Sequence, residues 1–270
     1  GLVNQRRMRS GRPKHQSFTR LIPNMLTLLN LCAGVTAIRF ALGGRFEEAV
    51  AAILLAGVLD LLDGGMARLL RAGSKLGAEL DSLADLVSFG VAPAVMVYAW
   101  TMHSAGGIGW VPSLLFCACS ALRLARFNIT RDDPSEPSDP SGAYSYFTGL
   151  PTPGAAGVLL LPMLFWFQFP EGPFNGVFLN GIFTVGAALL MVSRIPTFSL
   201  KGGRIPNRYV VPMLVLFCLV VGFAVETLWA TLSVVMVVYI ATIPVSLIAY
   251  RRRLQKSSDE IAPTRIDGGE

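Results

Sequence analysis

The chain has 270 residues, 53% of them hydrophobic and only 15% charged, with a mean hydropathy of +0.55 and a formal net charge of +6. That balance lies outside ordinary soluble composition and excludes a disordered chain, a collagen-like repeat and a disulfide-stapled secreted module. The apolar residues are gathered into runs of about 20, the length a helix needs to cross a bilayer. The expected fold class is therefore all-α, a polytopic integral membrane bundle.

A basic segment, 1–20, precedes the first run and superficially matches a secretory signal. The run behind it is as long as a full span and lacks a small-residue cleavage pattern, so it reads as the first membrane helix. Eight spans are expected in order, near 21–43, 46–68, 82–102, 107–127, 151–170, 175–193, 209–226 and 228–250. With the N-terminus in the cytoplasm, 21 of the 23 Lys and Arg residues fall on the cytoplasmic side and only Arg39 and Arg45 lie outside. By the positive-inside rule both termini are expected to be cytoplasmic. The basic residues sit in short patches between apolar runs, which suits anionic headgroups and does not suit nucleic acid. The one long polar loop, from Asn128 to Leu150, carries Pro134, Pro137 and Pro140 and cannot be helical throughout.

Cys32, Cys117, Cys119 and Cys218 all fall inside apolar runs, and Cys117 and Cys119 project about 200° apart on a helix, so they cannot share an ion. His15 and His103 fall on opposite sides of the expected membrane. Any metal must be held by oxygen.

Oxygen donors are concentrated in one place. The second span ends with Asp60 and Asp63, and the third opens with Asp81 and Asp85. On helices each pair projects from one face, about 60° and about 40° apart, and the short connection makes the helices antiparallel neighbours. Four carboxylates so placed repel one another and are costly in lipid unless a cation sits among them. Oxygen-only ligation points to Mg²⁺, Mn²⁺ or Ca²⁺, and carboxylates plus phosphate oxygens are the usual surroundings of Mg²⁺. Gly64, Gly65, Ala67, Gly73 and Gly77 leave room for a bulky ligand, and Arg68 and Lys75 add cations for a phosphoryl group. Pairing of the acids with arginines, and helix packing through small residues, is the alternative.

The stretch from Asp60 to Asp85 reads D-x2-D-G-x2-A-R-x8-G-x3-D-x3-D, and this resembles the signature of the CDP-alcohol phosphotransferase family. The resemblance implies a six-span core over 21–194, with the signature across its second and third spans. A linker and two additional spans would follow at 195–250, then a basic, disordered tail at 251–270. It implies transfer of a phosphatidyl or related group from a CDP-linked lipid or alcohol to a hydroxyl, with release of CMP. By the same resemblance Asp60, Asp63 and Asp81 would be ligands of two divalent cations, Mg²⁺ or Mn²⁺, with Asp85 near the second ion and acting as general base. Asp60, Gly64, Ala67, Arg68, Gly77 and Asp81 would meet the CDP moiety. The segment Pro23-Asn24-Met25-Leu26-Thr27 is similar to one that borders the cytidine site in relatives, which makes Asn24 and Thr27 nucleotide candidates; an ordinary polar helix start is the alternative.

Two further segments, Ser120 to Asn128 and Tyr146 to Ala156, resemble the branch of the family whose acceptor is L-serine, as do the two extra spans. Arg123 and Arg126 would then hold the serine carboxylate or a lipid-linked phosphate; topogenic charge is their alternative. Choline, for which Tyr144, Tyr146 and Phe147 offer an aromatic surface, and glycerol phosphate, which needs more basic residues, stay open as acceptors. The partners implied are CDP-diacylglycerol, L-serine, membrane lipids and a second copy in a homodimer. The expected location is a bacterial cytoplasmic membrane with the site facing the cytoplasm. A divalent cation transporter is the reading of another class. Against it, all four acids sit near one face, and spans four to eight carry no acid near their middle.

Overall fold

The computed structural model describes residues 21–70, 74–132, 147–193, 196–197 and 227–261. The expected seventh span, the basic N-terminal segment and loop residues 133–146, which include Tyr144 and Tyr146, lie outside them.

Helix α1, Leu21–Leu42, turns tightly through Gly43 and Gly44 into α2, Phe46–Leu69. Gly44 has φ 75°, where a side chain is disfavoured, and Arg45 N donates to Phe40 O at 2.9 Å across the corner. Small residues recur every four positions on α1 at Ala33, Ala37 and Ala41, all buried, and α2 buries Ala49, Ala52 and Ala56. Without bulk between them the two backbones approach closely, the usual means of association among helices in lipid.

The third rod is composite. Helix α3, Lys75–Asp85, passes through a π-helical turn at Leu86–Val91 and continues as α4, Ala92–Trp100. It begins at Lys75, earlier than the 82 expected from hydropathy, because Ser74 caps it by accepting from Gly77 N at 3.0 Å. Helix α5, Gly107–Asp132, follows a short 3₁₀ turn. Next come α6, Thr152–Gln168, and α7, Val177–Val192. Gly149, at φ 84°, lets the chain enter α6 beside the end of α7, where Leu150 N donates to Leu190 O at 3.2 Å. A two-residue antiparallel pairing of Phe147–Thr148 with Pro196–Thr197 extends that junction. The last described helix, α8, Leu228–Ile261, continues past the expected end of the eighth span at 250. It lies along α6, where Gln168 Nε2 donates to Ser233 Oγ at 2.7 Å.

Among the described residues, four helices are long and apolar enough to cross a membrane: α1, α2, the α3–α4 rod and α5 as far as Ile129. Helices α6, α7 and the Leu228–Pro244 part of α8 are apolar but shorter. Large side chains such as Leu61, Leu69, Ile108 and Phe178 are exposed on the outside of the bundle, as lipid-facing residues are. Helix α6 is the most enclosed, with Leu159, Met163 and Leu164 in the core.

Candidate active site

Helices α1 and α3 begin at the end of the bundle where α2 finishes, so the positive ends of two helix dipoles meet the carboxylates of a third element. Between them lies a cavity of about 190 Å³. Asn24 and Thr27 line it from α1, Asp63, Gly64 and Ala67 from α2, and Ser74, Gly77 and Asp81 from α3. Asn24, Thr27, Gly64, Ala67, Gly77 and Asp81, singled out in the sequence for nucleotide contact, thus meet around one space although they span more than fifty positions of chain, whereas Asp60 and Arg68 do not line it.

The two glycines act differently. A Cβ on Gly77 would come 2.8 Å from Asn24 Oδ1 and 3.1 Å from Ser74 Oγ, so the missing side chain lets α3 approach α1 and keeps the Ser74 cap in place. A Cβ on Gly64 would meet nothing within 4 Å. Its bareness serves the cavity and not the packing.

Beside this space Asp60, Asp63 and Asp81 each offer a carboxylate oxygen, and the three oxygens lie within 4.8 Å of one another. Asp63 is buried, and its Oδ2 accepts from Thr27 Oγ1 at 2.7 Å. Asp85, one turn beyond Asp81, interacts electrostatically with Asp60, Asp81 and Asp63. Its Oδ1 accepts from Asn30 Nδ2 at 3.3 Å. An all-oxygen donor set of this kind fits a hard divalent cation, and a cation among the acids removes their mutual repulsion. The opposite flank of α3 is fastened to α5, where Ser82 Oγ donates to Asn128 Oδ1 at 3.0 Å and Asn128 Nδ2 to Glu79 Oε2 at 3.2 Å.

The expected cations are distributed less tightly. Arg68, Lys75 and Arg126 are exposed and do not line the cavity, although Arg68 and Lys75 adjoin the lining residues Ala67 and Ser74. Arg123 is half-buried; its Nε is enclosed and has no hydrogen-bond partner among the described residues. The neighbour acting on its charge is the phenol of Tyr239 on α8. That phenol lies on the first turn of α6, where a Cβ on Gly154 would sit 2.8 Å from Tyr239 Oη.

Sequence reasoning passed over Ser74, Asn30 and Tyr239. Asn30 did leave a signal: Asn24, Thr27 and Asn30 recur every three residues along the mainly apolar first half of α1, a polar stripe on one flank. Tyr239 left none, because its approach to Arg123 depends on how α8 lies across α6.

Residues 20–195 match the family described as CDP-alcohol phosphatidyltransferase. Over 236 residues the chain is 38% identical to the CDP-diacylglycerol–serine O-phosphatidyltransferase of Mycobacterium bovis, covering 86% of this chain and 80% of that protein. The Helicobacter pylori protein of the same name is 38% identical over 180 residues, 66% of this chain and 73% of its own length. One from Methanocaldococcus jannaschii is 35% identical over 187 residues, 69% of this chain and 76% of the relative.

Proposed function

Because this chain belongs to the CDP-alcohol phosphatidyltransferase family, we propose that it transfers the phosphatidyl group of CDP-diacylglycerol to the hydroxyl of L-serine, giving phosphatidylserine and CMP. The observation that carries this reading is the cavity between α1, α2 and α3, on which Asp63, Gly64, Ala67, Gly77 and Asp81 of the signature converge. The relatives' shared activity, named for serine, supplies the acceptor.

Asn24, Thr27, Gly64, Ala67 and Gly77 form the walls that receive the CDP moiety, and the helix starts of α1 and α3 favour its diphosphate. Asp60, Asp63, Asp81 and Asp85 would hold two divalent cations, Mg²⁺ or Mn²⁺, which polarise the diphosphate and stabilise the departing CMP. Thr27 keeps Asp63 oriented for that task. The serine hydroxyl oxygen forms its bond to the phosphorus that carries the diacylglycerol, while the bond from that phosphorus to the bridging oxygen breaks and CMP leaves with the electron pair. Asp85 takes the hydroxyl proton as the new bond forms. Arg123, whose enclosed Nε lacks a protein acceptor among the described residues, receives the serine carboxylate. Arg68, Lys75 and Arg126 act from the rim, meeting phosphate or anionic headgroups. In this reading the chain spans a bacterial cytoplasmic membrane eight times, with both termini and the site on the cytoplasmic side, and works as a homodimer. The charge asymmetry supports the orientation.

The experiment is to give the purified protein CDP-diacylglycerol with labelled serine, choline, glycerol 3-phosphate or inositol in parallel. Only serine should become lipid-extractable, with CMP released in equal amount. A different acceptor, or metal flux into proteoliposomes without CMP release, refutes the assignment.

A further inference from the structure

We propose that Asn30 is the positioning residue for Asp85: from α1 it holds one oxygen of the carboxylate and so fixes the orientation in which Asp85 receives the acceptor proton. The inference rests on Asp85 being the general base.

Asn30 is completely buried in α1, with Nδ2 3.3 Å from Asp85 Oδ1. A carboxylate only accepts, so the amide nitrogen must be the atom that faces it. The amide oxygen then has no choice of direction. It is enclosed without a partner among the described residues. An enclosed acceptor without a donor works against folding, whereas an apolar side chain there would carry no such penalty. The same helix fills its other buried positions with residues such as Ala33, Ala37 and Ala41. What the amide gives in return is its contact with Asp85.

The backbone of the same residue repeats the hold. Asn30 O accepts from Ser88 Oγ at 3.1 Å, and Ser88 lies in the π-helical turn that starts directly after Asp85. One helical turn along α1, Gly34 makes the seat for that turn, since a Cβ there would come 2.7 Å from Ser88 Cα. Asp85 is therefore indexed to Asn30 twice, through its carboxylate and through the turn that follows it. Asn30 does not line the nucleotide cavity, so it can govern the base without touching CDP.

The test compares Asn30→Leu, which has the same number of side-chain heavy atoms but is apolar and bulkier, and Asn30→Asp, the same shape without the N–H, with Asp85→Asn alongside. Turnover, both KM values and thermal midpoint are measured on the full-length protein in one detergent. Asn30→Leu is expected to fold, to leave KM for CDP-diacylglycerol and serine within twofold, and to lower kcat by about 10- to 100-fold. Asn30→Asp should lose at least as much kcat. A normal kcat in either variant overturns the proposal. Asp85→Asn separates the two levels: if it turns over normally the base assignment itself fails, and if it is inactive while Asn30→Leu is normal, only the positioning role fails.

Discussion

Gly64→Ala separates the needs of the fold from those of the nucleotide. The added methyl meets no protein atom within 4 Å, so it neither clashes nor forces α2 to move. Within a helix, exchanging glycine for alanine stabilises by about 0.5–1 kcal/mol, because the unfolded chain loses freedom it would otherwise regain. The unliganded variant should therefore melt at the same temperature as the parent or a few degrees higher. With CDP-diacylglycerol the sign reverses. The methyl projects toward a space of only about 190 Å³, and an extra carbon in a well-filled site costs about 1–3 kcal/mol. At about 1.4 kcal/mol per tenfold, that is a loss of about 5- to 150-fold in affinity. Thermal shift with and without CDP, beside steady-state kinetics varying CDP-diacylglycerol, reads both halves. A KM within twofold of the parent would show that the nucleotide lies elsewhere, and a lowered midpoint without ligand would show that the space beside Gly64 is not open.

Three further outcomes follow from the same geometry. Thr27→Val removes the 2.7 Å hydrogen bond to Asp63 while keeping the shape; a bond to a charged group is worth about 1.5–3 kcal/mol. The concentration of Mg²⁺ giving half-maximal turnover should rise about tenfold, and an unchanged midpoint would remove Thr27 from that role. Arg123→Ala should raise the KM for serine about 10-fold or more and leave that for CDP-diacylglycerol alone; an unchanged serine KM with lower protein yield would reduce Arg123 to a topological charge. Chelation should abolish transfer and either Mg²⁺ or Mn²⁺ should restore it, whereas turnover surviving chelation would overturn the role given to the four aspartates.

Much of this was legible in the sequence, because lipid forces helices to satisfy their own backbone and so makes hydropathy a near-direct ruler. The α1–α2 hairpin falls where the Gly43-Gly44 corner separates two apolar runs, and Asp63, Gly64, Ala67, Gly77 and Asp81 of the signature meet around one space because α2 and α3 are joined by a short connection. The start of α3 was misjudged for the opposite reason: Lys75, Glu79 and Asp81 make its first turns too polar for a hydropathy threshold, while the Ser74 cap that begins the helix is a local feature. The π-helical turn at Leu86–Val91 leaves no periodic trace in an apolar run. Nor could the meeting of Arg123 with Tyr239 be read, since α6, α7 and the intervening chain separate them and only the packing of α8 on α6 brings them near.

The π-helical turn has a mechanical consequence. A turn of this kind stores one surplus residue between two lengths of one shaft. The half carrying Asp81 and Asp85 faces the carboxylates of α2, and the half carrying Ala92 to Trp100 packs into the bundle. A wider turn with one more residue sweeps about the same angle as an ordinary one, so the two halves keep their phase while the backbone between them gives up part of its regular i→i−4 bonding. In this segment the count of residues matters as much as their chemistry.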